Sequence, residues 1–144
     1  MSYKTNILAF LQIETYHPLL ESYHILIAIE LALKDLGIQS GNSGHNIPSM
    51  LAQTAQQHPA LAARLHAHQA RLQTDLTQII CNHKNGQPVA VQHKNYPNVR
   101  YTRFAGDWNG VGETSAQSLT NLAQTCNSLL MELRAHKAIL GIQI

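Results

Sequence analysis

Cations and aromatics interleave most densely between Asn82 and Gly112. Lys84, Lys94, Arg100 and Arg103 stand there against Asp107 alone, so the stretch is net positive while the rest of the chain is slightly acidic. Tyr96, Tyr101, Phe104 and Trp108, half of the chain's aromatics, lie in the same stretch. Guanidinium and ammonium groups suit phosphate oxygens, and aromatic rings suit the faces of unpaired bases, so this composition fits contact with a nucleotide or a single strand. A long loop without structure of its own is uncommon in a compact domain unless it is functional. The competing expectation is a surface insertion whose aromatics pack back on the body.

Histidine and carboxylate spacings raise a second chemistry. Glu14/His17 and Glu21/His24 are two Glu-x-x-His pairs within a seven-residue repeat, ETYHPLL followed by ESYHILI. Di-metal carboxylate bundles use that spacing, but they take each pair from a separate helix and add a carboxylate from each of the others. Here both pairs crowd around Pro18, and Asp75 and Glu132 have no evident core position, so no metal site is expected. His66 and His68 are two positions apart, about 200° around a helix, and cannot chelate one ion from a helical surface. His68 shares the apolar face of its helix and is expected to be a hydrogen-bonded core histidine, with His66 solvated. Glu30 and Lys34, at i,i+4 on the most apolar helix, must pair or face a polar cleft. In the functional reading, Lys34 lines an anion-accepting groove with the arginines of the long segment. No nucleophilic triad and no phosphate-binding glycine loop can be drawn from spacing.

The elements that position these residues read as helices. An apolar stripe of Ile7, Leu8 and Leu11 runs to His17-Pro18, and Pro18 then opens a helix ending at Gly37 whose centre, ILIAIELAL, is apolar almost all round. A short helix over 47–57 is expected with Asn46 as cap, broken by His58-Pro59. The next, over 59–81, carries Leu61, Leu65, Leu72, Leu76, Ile79 and Ile80 on one face. A short strand is expected at 88–92. The last helix is expected to start at Thr114 with Gln117 in a capping box, and its stripe is Leu119, Leu122, Ala123, Cys126, Leu129, Leu130 and Leu133. Together these give one domain over 1–144, an all-α up-and-down bundle of four long helices and one short one, with the basic aromatic loop before the last helix.

Composition sets outer bounds. The chain has 144 residues, enough for one core without staples, and its formal charge of +2 is too small to argue for duplex DNA. Two cysteines without zinc or redox spacing, no convincing signal peptide and charges interrupting the apolar run 19–36 lead us to expect a reduced, cytoplasmic protein outside the membrane, without cofactor.

Three motifs taken in order resemble the HEPN domain family. They are the aromatic-led helix Tyr23-HILIAIELALKDLG with Glu30-x-x-Leu33-Lys34, then Gly44-His45-Asn46-Ile47 with Leu51, and Asn98-Val-Arg100-Tyr101-Thr-Arg103-Phe104, where Thr102 stands in place of the family's usual proline. The resemblance spans about residues 5–138. It implies a helical bundle that associates as a homodimer, and a nucleotide- or RNA-binding role, in some members as the partner of a nucleotidyltransferase or an antitoxin. Members that cleave RNA without metal carry Arg, four to six residues, then His. This chain has no such pair, so the resemblance implies binding without cleavage, with a divergent ribonuclease site, a protein-interaction module or a metal-binding bundle as alternatives. The expected binding residues are Arg100, Tyr101 and Arg103, then Lys34 and His45, with no catalytic residue assigned.

Overall fold

The computed structural model describes residues 18–39, 45–83, 87–91, 96, 108–111 and 114–144. They are mostly helical: α1 (Pro18–Asp35), α2 (Ile47–Gln57), a 3₁₀ turn (Pro59–Leu61), α3 (Ala62–Thr77), α4 (Ala116–Ala135) and the short α5 (Lys137–Leu140). The stripe expected over 3–16 lies outside the described residues.

Each helix boundary has a local cause. Pro18 opens α1, where its missing N–H costs no hydrogen bond. Gly37 closes it at φ 84°, with its N–H bonded to the Lys34 carbonyl. Asn46 caps α2, its side chain accepting from the Ser49 N–H at 3.0 Å. His58 and Pro59 end α2, as the proline break predicts.

Two expected boundaries are corrected. The third helix does not reach Cys81: α3 stops at Thr77, and Ile80–His83 forms a strand, β1. A continuous apolar run reads the same in a buried helix as in a strand, which is why Ile79 and Ile80 seemed to extend the stripe. The cap of α4 is Ser115, accepting from the Ser118 N–H at 3.1 Å. Thr114 instead spends its hydroxyl on Ile80, accepting from its N–H at 2.9 Å and donating to its carbonyl at 3.2 Å.

The segment expected to be a loop carries two further strands, β2 (Pro88–Ala90) and β3 (Trp108–Val111), which pair antiparallel on either side of β1. The β1–β3 register shifts between Cys81 and His83. Both strands of the segment are therefore held on β1, the strand that follows α3, and β2 lies inside the span 88–92 expected to be extended.

α1 packs on α4, α3 on α4 and α2 on α3, around a core of Leu19, Leu26, Ile29, Leu33, Leu65, Leu72, Leu129 and Leu133. The α4 stripe is buried as expected, apart from the half-buried Leu119. No helix among the described residues is long and apolar enough to cross a membrane.

Candidate functional site

The polar centre of the molecule is Glu30, on the apolar helix α1. Only 4% of its side chain is exposed, so its charge needs partners within the protein. His45 supplies one: its Nδ1 lies 2.9 Å from Glu30 Oε1, across the turn between α1 and α2. Lys34 supplies another, its Nζ 3.8 Å from the same oxygen, one helical turn along α1. Both partners reach solvent, with 41% of the His45 side chain and 29% of Lys34 exposed. A buried carboxylate thus holds an imidazole and an ammonium group at one patch of surface.

Tyr96 closes the inner side. It is almost wholly buried among Leu19, Tyr23, Leu26, Leu76 and Leu122, so this aromatic of the long segment packs back on the body. Its ring stands edge-on to His45, with centroids 6.0 Å apart and planes at 85°. Its hydroxyl is buried without a hydrogen-bond partner among the described residues, in the field of the Glu30 charge. Burial first, and then the neighbouring Glu30 charge, push the phenol far above its ordinary range, so Tyr96 stays neutral.

Of the five expected binding residues, Lys34 and His45 meet at Glu30. Arg100, Tyr101 and Arg103 lie outside the described residues, as does Phe104. His45 does not cap its helix, a task taken by Asn46, which leaves the imidazole free to reach Glu30. Two members of the cluster were missed as partners. Glu30 was legible as a partner of Lys34 only, and Tyr96 had no signal beyond being one of several aromatics.

The remaining histidines and carboxylates are placed differently. His68 is half-buried on α3, but its Nδ1 has no hydrogen-bond partner among the described residues, contrary to the expected bonded core histidine. Burial lowers its pKa, the Glu132 charge opposes that shift and Arg71 adds to it. His66 is exposed, as expected, and contacts Gln69 at 3.0 Å. Glu21 accepts from Asn127 at 3.0 Å, and His24 lies against Tyr23. Asp75 accepts from the buried Thr125 hydroxyl, and Glu132 lies 3.6 Å from Arg64 and 4.0 Å from His136. No group of three or more metal-ligating side chains converges among the described residues, and Glu14 and His17 lie outside them. A groove of about 540 Å³ between α1, α3 and α4 is lined by Glu21, Arg71, Asn127 and Met131 among others, but Glu21 and Asn127 already bond each other.

The chain matches no known family model, no curated protein and no solved structure.

Proposed function

We propose that the protein is a HEPN-like domain that binds a nucleotide or single-stranded RNA at the face formed by Lys34 and His45, together with Arg100, Tyr101 and Arg103, without cleaving it. The observation that carries this reading is the buried Glu30 carboxylate holding a cation and an imidazole at the surface. Preorganised groups bind without the ordering cost that free side chains would incur. Tyr96 supports the inclusion of the arginines. It is anchored beside His45 and precedes Arg100 by four positions in the sequence. Arg100 and Arg103 hold phosphate, and Tyr101 stacks a base.

The Glu30–His45 contact also favours one second reading, a divergent metal-independent ribonuclease, because a carboxylate-oriented imidazole is how a general base is held. In that reaction His45 takes the proton of a 2′-hydroxyl, whose oxygen attacks the adjacent phosphorus. The P–O5′ bond breaks, the proton passes to the leaving oxygen, and a 2′,3′-cyclic phosphate and a 5′-hydroxyl end result. The HEPN resemblance further implies a second copy of the chain, and a nucleotidyltransferase or antitoxin as partner.

Fluorescence polarisation with labelled single-stranded RNA over a salt series, each endpoint run on a denaturing gel, separates these readings. Salt-sensitive binding of intact RNA is expected, with the salt slope falling by about one for each of Lys34→Ala, Arg100→Ala and Arg103→Ala. Shortened RNA selects the ribonuclease. Absence of binding at low salt overturns both.

A further inference from the structure

The Glu30–His45 contact determines a polarity as well as a position. An ionised carboxylate has only acceptor oxygens, so the His45 Nδ1 that meets Glu30 Oε1 at 2.9 Å carries the ring hydrogen. In a neutral imidazole the other nitrogen is then an acceptor. The ring geometry turns that nitrogen, Nε2, away from the buried carboxylate, and the side chain is open to solvent. Lys34, resting on the same Glu30 oxygen, presents only donors. With the His45 ring neutral, the patch offers an acceptor and a cation side by side.

We propose that His45 Nε2 is a specificity-determining acceptor that takes a hydrogen bond from a ribose hydroxyl, so that the site selects ribose over deoxyribose while Lys34 holds the neighbouring phosphate. The inference rests on the nucleic-acid reading above and adds to it the part of the nucleotide that His45 reads. A phosphodiester has no proton to give, and its oxygens repel the Nε2 lone pair. A sugar hydroxyl has a proton to give, and the 2′-hydroxyl is the group by which a protein tells RNA from DNA. Glu30 is the positioning residue, since it fixes which ring nitrogen carries the hydrogen.

The test uses three oligonucleotides of one sequence, as single-stranded RNA, DNA and 2′-O-methyl RNA, titrated at pH 8 and low salt with gel confirmation that each stays intact. Wild-type protein is expected to bind RNA about fivefold or more tightly than the other two, the worth of one hydrogen bond. His45→Ala is expected to bind all three alike, and Lys34→Ala to weaken all three by a similar factor while keeping the preference for RNA. The 2′-O-methyl arm removes the donor from the ligand with the protein unaltered, so the proposal can fail even if a variant does not fold. Equal binding of the three by wild type overturns the ribose assignment and leaves the nucleic-acid reading standing, as does an RNA preference that survives His45→Ala. Binding of none overturns both.

Discussion

Glu30 and Glu132 have the same kinds of neighbour and different geometry. Each sits on a long helix beside a basic side chain and a histidine, Lys34 and His45 in one case, Arg64 and His136 in the other. Glu30 is 4% exposed and meets its imidazole at 2.9 Å, within hydrogen-bond reach. Glu132 is 17% exposed and its partners stand at 3.6 and 4.0 Å, ion-pair distances without hydrogen-bond contact. Burial makes the difference. A carboxylate that water cannot reach must be satisfied by fixed groups, whereas one at the rim can share solvent with mobile ones. The first arrangement yields an imidazole of defined orientation, and the second a loosely held charge cluster.

The largest perturbation of this contrast is Tyr96→Ala. It empties a buried aromatic site behind Glu30 and His45 and is expected to cost about 3–5 kcal/mol in chemical denaturation, with RNA affinity falling together with stability. Glu30→Ala is expected to cost about 2 kcal/mol, because Lys34 and His45 can turn to solvent when the charge-assisted contacts go. It should abolish the RNA preference even in protein that remains folded. Acidification sharpens the comparison from the other side. Burial lowers the pKa of His68, beside Glu132, and of His24, so the unfolded chain takes up those protons first. Their contribution to stability is whole above the ordinary imidazole pKa of 6.5 and is lost as pH falls from there through the lowered folded values. Melting temperature should therefore drop between pH 7.5 and 5.5, and less steeply in a His68→Gln variant. The smallest effect is expected of Glu132→Gln, below about 1 kcal/mol, with RNA binding unchanged. A loss of binding there would erase the distinction between the two clusters.

Local signals in the sequence carried far, and long-range ones did not. Pro18, Gly37, Asn46 and His58-Pro59 each act through their own backbone, and each marks its boundary in the structure. Glu30 and Lys34 were legible as a pair because a helix makes i,i+4 residues neighbours whatever surrounds them. His45 is fifteen residues from Glu30, on the far side of a turn, and no periodicity links such positions. The same limit hid Tyr96 as the anchor and Ile80 as a strand residue. Whether an apolar run continues a helix or enters a sheet is decided here by pairing of Ile80 with Ala90 and of Cys81 with Val89 and Val111, on chain that follows it. Thr114 misled by its spacing to Gln117: its hydroxyl serves Ile80, thirty-four residues away, and the cap falls to Ser115.

The central claim, that the Glu30 cluster is the ligand face and the Glu132 cluster is not, is tested most directly by following the imidazole resonances of ¹⁵N-labelled protein by NMR while single-stranded RNA is added. The account predicts that the His45 signals shift in proportion to bound RNA and report the hydrogen on Nδ1, while those of His68 and His136 stay in place. Shifts at His68 and His136 with His45 unmoved would contradict it.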